Sequence, residues 1–384
     1  MTVRAYFNWT LALFVAAFLV LPNSKMVNNF YYLFMAIPGL VYLLSNYKQL
    51  KPISFAELSF LALCACTAGY AFFIYPKIIT HALYVVVFAY VVARFVDADF
   101  FDSKMFARFL FWGGLLYVAV CAVSFYVIDD VSFGTRINPG VSRLYSPIHI
   151  SMFVSCGLFV IGPHWLKDGS YWEGLLGVIL AFLAIALLLQ SRTGLVGMGI
   201  WSIFILFYII RKFGTRGGVF LIIGLLVLVA VSVPIFDLAG QSARLIERAD
   251  AHRLAIWKGY LLATYDCGLL LGCGFPVTPS SHLVLDHSGK DVFFTHNILV
   301  NQLYHYGLLL LVLFIIVMIS VLRLAWQQRN WWGAYLLTGI LLSMLDSNRI
   351  IDSPNEVWLM IWLPTALIFA REWQRRREMA REHN

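Results

Sequence analysis

The stretch "THNILVNQLYHYGLLLLVLFIIVMISVL", residues 295–322, decides the fold. From Ile298 to Leu322 it carries no Asp, Glu, Lys or Arg. An uncharged apolar run longer than about 18 residues reads as a membrane-crossing helix. Its entrance is odd, because His296 and Asn297 stand where hydrocarbon begins, and His305 lies inside the run. The composition extends the reading to the whole chain. Of 384 residues, 61% are hydrophobic and 12% are charged, and the mean hydropathy is +0.80. Soluble domains carry about 25% charged residues, so the chain is read as an integral membrane protein.

Similar apolar runs lie at about 6–22, 27–45, 54–75, 78–96, 106–128, 147–162, 172–190, 194–210, 218–236, 331–346 and 355–371. With 298–322 they predict an all-α polytopic membrane protein of about twelve spans, since no long β alternation competes. The first run lacks a small-residue cleavage site and reads as a span rather than a removed signal peptide. The whole of 1–384 reads as a single membrane domain.

Loop charge gives the orientation. The tail "REWQRRREMAREHN" holds five arginines and is expected in the cytoplasm, which for twelve spans places the N-terminus there too. This assignment leaves 17 of the 28 basic residues inside and 11 outside. The net charge of +8 is therefore read as a topology signal, and no nucleic-acid partner is expected. The outer set still includes Arg136, Arg143, Arg192, Arg244, Arg248, Arg253 and Arg349, more arginine than translocation favours. The one long connection, 237–297, falls on this outer, periplasmic side and is expected to carry short interfacial helices. Cys267 and Cys273 lie in it, fit no metal motif, and read as free thiols with a disulfide as the alternative.

Four places on that outer face could do chemistry. If a helix begins near Thr295–His296, the imidazole sits in its first turn, where the positive helix end favours the neutral, proton-accepting ring. The plainer reading is an interfacial histidine bonded to a loop, with Asn297 a helix cap and Gly307 a close helix contact. In "LLLLQSRTGLVGMG", Arg192 interrupts an apolar stretch; it either snorkels or holds an anion with its planar fork. Asp250, Arg253 and Trp257 stand at helical spacing, so Arg253 belongs to an amphipathic helix and could simply pair with Asp250. In "SMLDSNRIIDSPNEVW", Asp346 ends an apolar run. It could orient a histidine or arginine across the site, or pair with Arg349 in its own loop.

Together these residues resemble the O-antigen ligase family and the related O-antigen polymerases, over about 190–352. His296, Asn297 and Gly307, separated by "ILVNQLYHY", match that family's H-[NSQ]-x9-G pattern. "QSRTG" matches its Arg192 motif and "RLAIW" its R-x3-[WY] helix, giving Arg253. Asp346 matches the aspartate ending a late helix, with Asp352 in reserve. Leu310 departs from the pattern at a packing position.

The resemblance implies a GT-C-like glycosyltransferase in the inner membrane of a Gram-negative bacterium, multi-pass, with its active site facing the periplasm. The donor it implies is an undecaprenyl-diphosphate-linked glycan, and the acceptor a sugar hydroxyl of lipid A–core. No metal or cofactor is expected, and membrane lipids are the remaining partner. His296 is then the base, Asp346 its support, and Arg192 and Arg253 the diphosphate clamp. Arg143, Arg136, Asn297, Arg349 and Asp352 are further candidates for binding substrate. Polymerase activity on the same donor is the nearer alternative. A secondary transporter is the more distant one, because the two halves show no matching motifs.

Overall fold

The computed structural model describes residues 2–47, 51, 53–74, 76–139, 142–212, 214, 253–274, 295–347 and 349–382. These form helices and connections, with no strand among the described residues. In chain order the helices are α1 (Val3–Val20), α2 (Ser24–Ser45), α3 (Phe55–Ile74), α4 (Lys77–Phe95), α5 (Lys104–Ile128) and α6 (Pro147–Lys167). Then come α7 (Tyr171–Leu188), α8 (Arg192–Lys212), α9 (Arg253–Cys267), α10 (Ile298–Gln328) and α11 (Trp332–Ser343). The last helix, α12 (Leu363–Glu382), is entered through a π turn at Trp358–Trp362.

Among the described residues, eight helices are long and apolar enough to cross a membrane, and Phe55–Tyr70 and Trp332–Ser343 are shorter apolar helices. The chain is a multi-pass membrane protein. The expected run at 218–236 lies outside the described residues, as do Arg244, Arg248, Asp250 and most of 237–297. Within that connection α9 is a helix, as the spacing of Arg253 and Trp257 predicts, but its apolar residues are not confined to one face, since Leu254, Leu261 and Leu262 are exposed. Its stripe of Ile256, Tyr260 and Ala263 packs on Tyr304 and Val300 of α10.

Local chemistry sets the helix starts. Thr2, Asn23, Ser103, Ser146 and Asn297 each accept a backbone N–H of the first turn, groups that would otherwise lack partners. The entrance and first two turns of α12 are buried on all sides, from Val357 to Ala370. A helix that is apolar all round belongs at the centre of a bundle. The Trp358 ring there meets Phe14, Tyr31 and Phe88. Outer faces carry exposed Leu13, Phe34, Ile203, Phe207, Leu309 and Ile319, as a lipid-facing surface requires.

Two clusters of contacts define the ends of the bundle. At one, the tail of α12 is tied to the 97–104 connection: Arg371 pairs with Asp99 and Asp102, and Gln374 donates to Asp97 at 3.0 Å. At the other, the connections 129–146, 189–191 and 344–357 are tied to one another, and the last reaches His296 just before α10.

The helix α10 is 31 residues long, about 46 Å if straight, against a hydrocarbon core of about 30 Å. It breaks at Gly307, which has φ 74° and ψ −179°. The expectation of a close helix contact at this glycine is corrected, because the contact is with a loop inserted into the helix's own ladder. The amide of Leu308 donates to Leu269 O at 2.9 Å, and Tyr304 O accepts from the Cys273 amide at 2.7 Å. The two halves of one absent i→i−4 bond are thus both satisfied by the segment 268–274, which is what low-dielectric surroundings demand. A Cβ on Gly307 would lie 2.1 Å from Leu270 O, and one on Gly272 2.6 Å from Tyr304 O. Tyr70 donates to Leu271 O at 2.6 Å from α3. Cys267 and Cys273, expected as free thiols, are joined by a disulfide that closes this loop. The sequence shows five residues between the two cysteines but not that the chain turns back at Gly268 and Gly272, both at positive φ.

Candidate functional site

The His296 imidazole does not occupy the first turn of α10. The N-cap is Asn297, whose side chain accepts from Leu299 and Val300 at 2.9 and 3.1 Å, so His296 precedes the helix. Its φ is +50°, in the left-handed region that non-glycine residues seldom occupy. Thr295 is fixed on both sides. Its hydroxyl donates to Asn297 O at 3.0 Å, and its carbonyl accepts from Trp257 Nε1 of α9 at 3.0 Å. The strained residue is therefore held between a capped helix and an anchored strand of chain, an arrangement that recurs at functional sites.

Asp346 follows the end of α11, and one of its oxygens lies 2.7 Å from His296 Nδ1. The Arg253 guanidinium approaches its other oxygen at 3.9 Å, while Asp250, the partner offered by local spacing, lies outside the described residues. The Asp346 side chain is 9% exposed and that of His296 is 39% exposed, so the carboxylate is sheltered while the ring remains reachable. Burial pushes the Asp346 carboxyl up, but the His296 hydrogen bond and the charges of His296, His149 and Arg253 outweigh it and hold the group below the usual carboxylate range. With Nδ1 committed to a carboxylate, Nε2 is the nitrogen left to exchange a proton with a ligand.

The segment 344–357 holds more than Asp346. Asp352 Oδ1 lies 3.1 Å from His81 Nδ1 of α4, and its other oxygen lies 3.5 Å from Arg349. Arg143 Nε donates to Pro354 O at 3.0 Å, and Glu356 lies 3.8 Å from His149 Nε2 on α6. Trp358 and Trp362 donate indole N–H groups to Asp352 O and Ile350 O, fixing the loop to the buried part of the last helix.

Arg192 is the first residue of α8, after a turn in which Gln190 has φ +45°. This turn is stitched to the 129–146 connection: Arg136 Nε donates to Leu189 O at 2.9 Å, and Gln190 to Gly134 O at 2.8 Å. Ser151 of α6 donates to Ser191 at 2.6 Å, and Gly194 leaves no room for a Cβ beside Ser151. Gly197 likewise abuts Ser155 and Leu342. Arg192 is thus set beside the start of the His149 helix and near the end of the helix leading to Asp346. A cation at a helix N-terminus opposes the macrodipole, at a cost of up to about 1 kcal/mol, whereas an anion there is favoured by both.

The structure therefore brings His296, Asp346 and Arg253 into direct contact. It hangs Arg349, Asp352 and Arg143 from the same loop and puts Arg136 and Arg192 on the adjoining turn. Asn297 is a cap. Sequence reading overlooked His149, His81 and Glu356. The available signal was their position: two histidines in the first turns of helices whose starts fall at the arginine-rich end.

No family model matches the chain. Over 321 residues, covering 69% of this chain and 79% of the relative, it is 23% identical to the O-antigen ligase of Pseudomonas aeruginosa.

Proposed function

We propose that the chain is a glycosyltransferase of the O-antigen ligase kind, with a GT-C-like, twelve-span fold in the inner membrane of a Gram-negative bacterium. It transfers a glycan from undecaprenyl diphosphate to a sugar hydroxyl of lipid A–core. The observation that carries this reading is the His296–Asp346 pair at 2.7 Å with Arg253 beside it, in the pattern the similar protein's name leads one to seek. The Cys267–Cys273 disulfide supports placing this end in the periplasm, an oxidising compartment.

In the proposed step, the acceptor oxygen forms a bond to the anomeric carbon of the donor sugar while the bond from that carbon to the diphosphate oxygen breaks. The hydroxyl proton passes to His296 Nε2, and Asp346 stabilises the imidazolium through Nδ1. The bond's electron pair leaves with the lipid diphosphate, whose growing charge Arg192 and Arg253 meet. Fixed cations matched to charge that develops in the transition state accelerate the chemistry rather than merely bind the substrate. Attack opposite the leaving group inverts the anomeric configuration.

The test is direct. Purified protein and its His296→Ala variant are incubated with the lipid-linked O-glycan and lipid A–core, with chelator present. Capped lipid A from the parent protein alone is the expected result. Elongated lipid-linked glycan without capping would make it a polymerase, and uptake without transfer would sink the enzyme reading.

A further inference from the structure

A second polar site hangs from the same loop on its other side. Between α2, the first turns of α4, Tyr306 of α10 and residues 349–353 lies a cavity of about 500 Å³. That volume is in the range of small-molecule sites, about 300–1,000 Å³. Its lining is unusual for a membrane protein, because ionisable and hydrogen-bonding groups dominate it. Lys77 and Arg349 supply two cations. Asp352 stands between His81 and Arg349, presenting an acceptor held in place from both sides. Asn28 is among the lining residues, and its buried Oδ1 has no hydrogen-bond partner among the described residues. Buried acceptors of this kind are normally satisfied, so a donor from a ligand fits here. Tyr32 and Tyr84, their rings 4.8 Å apart, complete one wall with flat amphipathic faces.

We propose that this cavity binds an anionic saccharide, phosphorylated or carboxylated. The anion meets Lys77 and Arg349, ring hydroxyls donate to Asp352 and Asn28 Oδ1, and the apolar face of the sugar lies on the tyrosines. Ligands with only one of these features leave part of the lining unmatched: a bare anion does not use the acceptors, and a neutral sugar does not use the cations. The cavity and the His296 site share the 344–357 connection, which supplies Asp346 to one and Asp352 to the other. On the ligase reading, on which this placement in the reaction rests, the cavity is the acceptor's seat, and His81 positions Asp352 rather than exchanging protons with substrate.

Binding is measured without any donor, so it is separable from transfer. Thermal unfolding of the detergent-solubilised full chain is followed with glucose 6-phosphate, glucuronate, glucose or inorganic phosphate at matched ionic strength. A ligand that binds only the folded state raises the midpoint in a saturable way. The expected result is a saturable rise with glucose 6-phosphate or glucuronate, and whichever of the two acts names the anion's source. Glucose and phosphate alone should shift the midpoint less. The apparent affinity should fall about tenfold or more in Lys77→Ala, the scale of one lost charge-assisted hydrogen bond. Asn28→Asp, nearly equal in size, should weaken it too by adding a repelling charge even if Lys77→Ala proves unstable. The His296→Ala variant should bind as the parent does. No saturable shift with either charged sugar, or a shift that both variants leave intact, overturns the proposal. So does a shift that phosphate alone reproduces in full. Binding that behaves as expected in a protein without transfer activity overturns the ligase reading and leaves this site standing.

Discussion

The two ends of the bundle treat charge differently. At the tail end, arginines and lysines are matched with carboxylates. Arg94 forks onto Glu57 at 2.7 and 2.9 Å, Lys104 pairs with Asp168, Arg108 with Glu173, and Arg371 with Asp99 and Asp102. At the other end, carboxylates are shared with histidines: Asp346 with His296, Asp352 with His81, and Glu356 with His149. There Arg253 and Arg349 also approach the Asp346 and Asp352 carboxylates, at 3.9 and 3.5 Å, and Arg136 and Arg143 donate through Nε to backbone carbonyls. Guanidinium–carboxylate pairs keep their charges across the physiological range and serve as fasteners. Histidine–carboxylate pairs can take up or release a proton. On the proposed transferase reading, the difference separates a fastening end from a reactive one.

The sharpest test of that separation is a pair of substitutions, one at each end. His296→Ala should lower the transfer rate by about 10²–10⁴, the range for general-base catalysis, or roughly 2.7–5.5 kcal/mol of barrier. Thermal unfolding should move little, because the ring is 39% exposed and belongs to no core cluster. Glu57→Ala should do the reverse. Glu57 and Arg94 have side chains 1% and 0% exposed, and Arg94 also lies over the Tyr90 and Trp373 rings. Removing one partner of a buried pair costs about 3–5 kcal/mol, because it strands the other charge. Denaturation should show that loss while the transfer rate of the folded fraction stays at the parent value. Equal effects of both substitutions on rate, or on stability, would erase the distinction between the ends.

The chemical end also has a scaffold that can be broken apart from its chemistry. Gly307→Ala forces a side chain into a positive-φ position, worth about 1–3 kcal/mol, and drives its Cβ against Leu270 O. The expected result is lower stability together with slower transfer, since α9 and the start of α10 are held to each other through the 268–274 loop. A smaller, pH-dependent effect belongs to Asp346. Its carboxyl is held below the usual range, so the folded state gains stability from its ionised form at pH above the ordinary carboxylate value, about 3.9. That gain disappears as pH falls through the depressed native value. Asp346→Asn should therefore be less stable than the parent at neutral pH, with the gap closing in acid. A constant gap across the titration would show that the pair is held by packing rather than by charge.

Much of the architecture was legible because hydrocarbon imposes one rule along the chain: long uncharged runs must be helices, and residues 295–322 announce themselves. The residues that meet there, His296, Arg253 and Asp346, were legible as candidates as well, since a histidine, an arginine and an aspartate at apolar boundaries are costly and need a reason. What local pattern could not show was partnership. Arg253 and Asp346 are 93 residues apart in the chain, and nothing in either local stretch shows that they approach each other. The break in α10 was hidden for the same reason. Gly307 inside an apolar run looks like a packing glycine, and only the loop held by Cys267–Cys273 explains where the displaced backbone bonds go. His81 and His149 read as ordinary residues within helices until the 344–357 loop is placed against them.

The smallest expected effect tests whether the strain at His296 is held locally. Asn297 accepts two amides of the first turn, and Thr295 is tied to the Asn297 carbonyl and to Trp257. Asn297→Ala removes the cap, worth about 1 kcal/mol of helix stability, and leaves the Thr295 anchors in place. If those anchors fix the His296 backbone, transfer should fall only a few-fold, whereas Asn297→Asp should restore stability because aspartate caps equally well. If the cap itself holds the imidazole against Asp346, Asn297→Ala should approach the loss seen on removing the histidine. The resemblance to a family pattern that pairs His with Asn, Ser or Gln at this position would then reflect orientation of the base, not contact with substrate.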